Sequence, residues 1–315
     1  MQISAKVIQH SSRIGLGTKN HRFITTFELE YPRFIHSELM THRLFSRNAA
    51  SSRAIPVAHM IQQVKENPAM PIHWGMNQPG MQAEFELHEC LQRSSQYLWK
   101  KAAKSAARIA SALNKMGLHK QVVNRLLEPF QMMKTVVTAT ELDNFFYLRR
   151  HKDAQPEIKA LAEAMYEALL ESNFEVLWHG EWHVPYVKRF RDKQSGRLRY
   201  EDCNGQELSV EDAIKVSASC CAQVSYRKND ETLEKALVIY NRLVDTKPVH
   251  ASPFEHQATP MLRISDYQVG WEDGVTHLDQ HGDLWSGNFR GFIQHRQLIK
   301  GHVCNEYYGQ EEEGV

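Results

Sequence analysis

The sequence is poor in features that would settle its class at once. It has five cysteines, 16 glycines and 11 prolines in 315 residues. Cys90, Cys203, Cys220, Cys221 and Cys304 contain no CxxC pair, and an odd number argues against a full disulfide framework, so free thiols are expected. Glycine and proline are too scarce for a collagenous or low-complexity chain. No apolar run reaches the roughly 18 residues of a membrane span, and Met1-Gln2-Ile3-Ser4-Ala5-Lys6 holds no apolar signal core. Charge of one sign is lacking too. Lys and Arg number 38 against 37 Asp and Glu, a net +1, so no bulk field draws the chain to nucleic acid or anionic lipid. These absences together predict a soluble, cytoplasmic protein with no nucleic-acid and no membrane partner.

Ligand motifs are equally sparse. No GxxxxGK[ST] occurs, and Gly15-Leu16-Gly17 is a bare GxG without the third glycine of a dinucleotide fold. His179-Gly180-Glu181 lacks the PCxxC that would complete a zinc deaminase site, so no metal is expected. His179 and His183 then read as structural histidines, and Cys220-Cys221 as buried packing in a helix of small residues.

What is present is an ordinary globular balance, with 42% hydrophobic and 24% charged residues. Residues 23–31 alternate as a strand that Pro32 ends. Residues 33–44 take helical spacing, with Phe34, Ile35, Leu39 and Met40 inward, and 46–53 is a polar stretch closed by Pro56. Residues 67–82 read as loop. A long helix is predicted over 83–116, with Phe85, Leu87, Leu91, Tyr97, Leu98, Ala102, Ile109 and Leu113 recurring inward and Gly117 as its stop. Further helices are expected at 119–127, 139–150, 155–172, 210–223 (Ser209 and Asp212 starting it) and 231–245. Residues 190–207 carry turn signals at Ser195-Gly196 and Asn204-Gly205 and form a surface hairpin or insertion. The acidic tail from Gln310 should fray. No linker divides the chain, so one helix-rich α/β domain over 1–315 is the expected architecture.

One segment stands apart. Thr41-His42-Arg43-Leu44-Phe45-Ser46-Arg47-Asn48-Ala49-Ala50-Ser51-Ser52-Arg53 packs three arginines, a histidine, three serines and an asparagine behind an apolar helix. Hydroxyls, amides and guanidinium forks are phosphate-binding donors. A second basic set, Arg125 and Arg149-Arg150, follows, with Arg149 beside Asn144-Phe145-Phe146-Tyr147.

These residues resemble the signature of the flavin-dependent thymidylate synthase family, R-H-R-x-x-S-x-x-x-x-S-x-R. His42, Arg43, Ser46, Ser51 and Arg53 match, and Thr41 replaces the first arginine. Arg125-Leu126-Leu127-Glu128-Pro129, Leu142 to Arg149 and Ala154-Gln155-Pro156-Glu157-Ile158 are similar to the family's later words, in order. Its early words occur late here, as Ala222-Gln223-Val224-Ser225-Tyr226 and His250-Ala251-Ser252-Pro253-Phe254-Glu255-His256, so the motif order resembles a circular permutation.

The resemblance implies a permuted flavin-dependent thymidylate synthase-like fold with insertions, and an activity. A methylene group passes from methylenetetrahydrofolate to C5 of dUMP and is reduced with FAD hydride supplied by NADPH, giving dTMP. It implies a nucleotide site of Ser51, Ser52, Arg53, Arg125 and Arg149, with Arg149 polarising the uracil ring and Ser51 binding phosphate rather than acting as nucleophile. Arg149 and Ser51 are thus the candidate catalytic pair. It also implies a flavin site of His42, Arg43, Ser46, Asn48, Asn144, Ser225, Ser252 and Glu255, and a homotetramer with shared sites. Glu38, Thr41 and Thr138 depart from the family's usual residues, and Arg290 or Arg296 are candidates to replace a missing flavin-phosphate contact. The departures leave open a deoxypyrimidine-nucleotide hydroxymethylase, or a nucleotide-binding paralogue without catalysis.

Overall fold

The structure is a computed structural model, and it describes residues 3–13, 22–225, 231–262 and 270–304, the side chain of Ser225 apart. Gly15-Leu16-Gly17, Tyr226 and the acidic tail lie outside the described residues. The described chain is mixed α/β and divides into two compact units that interleave in sequence. One comprises residues 3–12, 23–176 and 222–225, the other 13, 22, 177–221, 231–262 and 270–304. The sequence shows no linker, and the described boundaries at 12/13, 22/23, 176/177 and 221/222 fall inside regular strands and a helix rather than in loops.

The first unit is built on a five-stranded sheet of order β3-β4-β2-β1-β5. Its strands are β1 (Ser4–Arg13), β2 (Arg22–Pro32), β3 (Ser46–Ala49), β4 (Met132–Ala139) and β5 (Glu175–Leu177). β2 runs antiparallel to β4, as does β3. Alternation made β2 legible, and Phe27, Leu29 and Tyr31 do share one buried face, packed on Phe145, Phe146, Ile158, Leu161 and Met165. These come from α5 (Asp143–Arg149) and α6 (Pro156–Glu171). β4 is buried on both faces, which removes the alternation that would have announced it.

The remaining helices correct several expectations. The helix predicted over 33–44 is a 3₁₀ turn (Arg33–Ile35) and one turn of α1 (His36–Leu39); Ile35 and Leu39 are buried, but Met40 is exposed. The Arg47 guanidinium ends it, donating to the carbonyls of Leu39, Met40 and His42 at 3.3, 3.1 and 3.1 Å. A cation there satisfies carbonyls that lack intrahelical partners. The polar stretch 46–53 is strand as far as Ala49.

α2 (Val57–Glu66) and α3 (Glu89–Lys115) pack together with α4 (Lys120–Val123) and a 3₁₀ segment (Asn124–Phe130). The buried face of α3 is Ala103, Ala107 and Ala110, whereas Phe85, Leu91, Tyr97, Leu98 and Ile109, expected inward, are exposed. Small side chains let the helices approach closely, and a hydrophobicity pattern weights the large residues instead.

In the second unit, β6 (Lys188–Arg191), β7 (Leu198–Glu201) and β8 (Glu207–Leu208) form a meander whose two turns hold Gly196 and Gly205 at positive φ, as the turn signals suggested. Two helices, α7 (Val210–Ala222) and α8 (Leu233–Asp245), follow. β9 (Ala258–Pro260) pairs with β13 (Phe292–Gln294), and β10 (His277–Leu278), β11 (Leu284–Ser286) and β12 (Phe289–Arg290) form a small sheet. Cys220 and Cys221 are fully buried, and burial pushes the Cys221 thiol up. His183 is buried, with its backbone in a bridge with Ala258, and Glu181 pairs with Arg191. Among the described residues no cluster of metal-ligating side chains occurs. No helix is long and apolar enough to cross a membrane.

Candidate active site

The signature segment and α5 meet in the first unit. The Arg149 guanidinium sits at the end of α5 and is held by three acceptors from one short stretch. Its Nε donates to His42 Nε2 at 2.8 Å, one terminal nitrogen pairs with the Glu38 carboxylate, and the other donates to Thr41 Oγ1 at 3.3 Å. The chain turns tightly just past α1, the Thr41 and His42 N–H groups donating to the Glu38 and Leu39 carbonyls at 3.1 and 3.2 Å, and this keeps the three residues close together. The His42 ring packs edge-on against Phe145 with centroids 4.9 Å apart, so its neighbours Arg43 and Asn144 flank that contact. Both are exposed. Burial, then the nearby Arg149 and Arg47 charges, lower the His42 pKa to about 4. His42 is therefore neutral at pH 7, accepting at Nε2 and carrying its proton on Nδ1.

Arg149 and Glu38 line a cavity of about 1250 Å³. Phe34, Trp99 and Met81 give it apolar walls, and Lys152, Lys159, Asp153 and Glu163 give it charge. The sequence reading missed these wall residues; only the A-Q-P-E-I word, which brings Gln155 and Glu157 to the rim, pointed there.

The proposed phosphate residues form a different arrangement. Ser51 and Arg53 are exposed in the turn after β3, where Ser51 Oγ accepts from the Arg53 backbone N–H at 3.3 Å. Ser52 is buried, and its hydroxyl donates to Glu128 Oε1 at 2.6 Å. The same oxygen takes Arg125 at 2.9 Å and Arg33 at 3.1 Å. Asn124 Nδ2 donates to the carbonyls of Ser52 and Ile55 at 2.7 and 2.9 Å. Ser52 is thus occupied as a loop anchor, while Ser51, Arg53 and Arg125 are exposed. No side-chain bond joins this turn to Arg149 among the described residues.

The flavin candidates divide. Ser46 and Asn48 are buried in β3, opposite Thr138 and Val136 of β4, and Thr138 Oγ1 shares a hydrogen bond with Thr26 at 2.7 Å. The 3₁₀ turn Gln223–Ser225 packs on β3 and β4, which brings part of the late Ala222–Tyr226 word beside the signature strand. Ser252 and Glu255 belong to the second unit, where Glu255 pairs with Arg296. Arg290 there pairs with Asp283 at 3.3 Å. The donor chemistry of exposed Arg43 and Asn144, a guanidinium fork and an amide, fits the pyrophosphate and ring edge of a flavin; the buried Ser46 hydroxyl does not.

The site is thus a guanidinium held by three neighbours, one of them a neutral histidine, at the wall of a partly apolar cavity. The sequence model of the thymidylate synthase complementing protein family matches residues 4–172, more than half of the chain and nearly all of the first unit. The chain belongs to that family. No curated protein sequence matches it. Similar solved structures include the UMP/dUMP methylase PolB from Streptomyces cacaoi bound with 5-Br UMP, at 17% identity over 54% of this chain and 89% of that one, TM-score 0.46. Thymidylate synthase X from Helicobacter pylori with FAD and dUMP is 18% identical over 46% of this chain and 67% of that one, TM-score 0.32.

Proposed function

We propose that the chain methylates C5 of dUMP with methylenetetrahydrofolate and reduces the transferred carbon with FAD and NADPH, giving dTMP. The observation that carries this reading is Arg149, fixed by Glu38, Thr41 and His42 at the edge of the cavity, inside the segment that matches the family. Arg149 keeps donors for a uracil carbonyl. A cation there stabilises the negative charge that makes C5 nucleophilic, and donors set in advance cost no reorganisation when the charge develops. Neutral His42 steadies the guanidinium without competing with it as a second charge. Ser51, Arg53 and Arg125 bind the phosphate, a contact that persists from ground state to transition state.

Arg43 and Asn144 would hold the flavin, which supplies hydride when bound. Ser225 joins that site in the permuted reading, which the packing of Gln223–Ser225 on β3 supports. The active assembly in this reading is a homotetramer. Glu38 and Thr41 touch Arg149 directly, and this favours one second reading, a deoxypyrimidine-nucleotide hydroxymethylase in which water captures the methylene.

The test is release of tritium from 5-tritiated dUMP with the folate present, measured for the wild type and Arg149→Ala. Release that falls about 10²–10³-fold in turnover for the variant supports the reading. Loss confined to the Michaelis constant for dUMP, with turnover intact, counts against Arg149 as the ring-activating group.

A further inference from the structure

We infer that Glu38 is an internal counter-ion that competes with the pyrimidine for the Arg149 charge, and that it lowers the nucleotide affinity of this chain. The inference rests on the proposed function, which places the pyrimidine at Arg149.

A guanidinium has five N–H donors in a fixed fork. In Arg149, Glu38, Thr41 and His42 take one from each nitrogen, which leaves one on each terminal nitrogen. Thr41 and His42 are neutral acceptors, so Glu38 is the anion among the three. Its side chain is 24% exposed and that of Arg149 is 19% exposed, so the pair is shielded yet reachable. Both residues line the same cavity. A ring that gains negative charge against Arg149 therefore meets a carboxylate already on that guanidinium. Two anions beside one cation repel each other even where each has its own donor, and the bound nucleotide loses affinity to that repulsion. Thr41 and His42 keep the guanidinium oriented when the carboxylate is removed, since their bonds use its other nitrogens.

The consequence runs opposite to that of a residue serving only to hold Arg149 in place. Removing the Glu38 charge should strengthen nucleotide binding. Glu38→Gln keeps the shape and a neutral acceptor, converting a charge-assisted bond to an ordinary one, worth about a five- to tenfold gain in affinity.

The experiment is calorimetric titration of dUMP into the full chain as wild type, Glu38→Gln, Arg149→Gln and the double variant, with Glu38→Ser as a second way to remove the carboxylate. The expected result is a dissociation constant five- to tenfold lower in Glu38→Gln, lower also in Glu38→Ser, and no such gain when Arg149 is already Gln. Tight binding by Glu38→Gln where the wild type binds nothing measurable supports the inference in its strongest form. A wild type that binds dUMP while both Glu38 variants bind equally or more weakly overturns this inference and leaves the proposed function standing. No binding by any of them overturns both.

Discussion

Glu128 is the hub on which the Ser51–Arg53 turn, the proposed phosphate site, rests, and replacing it by alanine should cost stability in a calculable way. One carboxylate oxygen accepts from the Ser52 hydroxyl at 2.6 Å, from Arg33 at 3.1 Å and from Arg125 at 2.9 Å. Ser52 is 3% exposed, so its hydroxyl loses a partner where water hardly reaches, at roughly 1–3 kcal/mol. The Arg33 and Glu128 side chains are each 19% exposed, so their pair adds about 1 kcal/mol after solvent screening. Arg125 is 55% exposed and contributes next to nothing. Glu128→Ala should therefore lose about 2–4 kcal/mol in urea unfolding, and Glu128→Gln, which keeps an acceptor, about half as much. Because the Ser51–Arg53 turn follows Ser52, dUMP binding should weaken in step. A loss under about 0.5 kcal/mol for Glu128→Ala, with dUMP affinity intact, would refute this reasoning.

Other outcomes follow from the same geometry. Asn124→Ala removes both bonds to the 52–55 carbonyls and should cost about 1–3 kcal/mol in thermal or urea unfolding, again with weaker dUMP binding. Burial holds His36, His42 and His295 near a pKa of about 4 and His256 near about 3, below their unfolded value. The unfolded chain then binds more protons between about pH 4 and 6.5, so stability is full above that window and is lost as pH falls through it. His256 alone should cost up to about 2 kcal/mol at pH 5. A melting temperature that stays level or rises from pH 7 to pH 5 would contradict this. A thiol reagent should titrate exposed Cys90, Cys203 and Cys304 in the native protein, and buried Cys220 and Cys221 only after denaturation.

Legibility in the sequence tracked physical simplicity. β2 declared itself because one face alternates Phe27, Leu29, Tyr31, and α6 and α8 because their periodicity has clear ends. β4 was hidden by burial on both faces. The face that α3 buries was hidden because it is alanine, while larger residues stay outside. In the site, the motif words located Arg149 and His42, but their direct bond joins residues 107 apart in the chain. Glu38 and Thr41 stood out in sequence only as departures; the structure shows that both departures meet at one guanidinium. Ser52 was read as a phosphate ligand because nothing in the sequence revealed that Glu128 takes its hydroxyl.

The central claim is that Arg149 and its surroundings serve the conversion of dUMP to its 5-methyl product. Its most direct test is the mass of the nucleotide recovered after incubation of the full chain with dUMP, methylenetetrahydrofolate, FAD and NADPH. The account predicts dTMP, formed in proportion to NADPH consumed and about 10²–10³-fold more slowly in Arg149→Ala. Recovery of a 5-hydroxymethyl nucleotide without dTMP, or of unchanged dUMP, would contradict it.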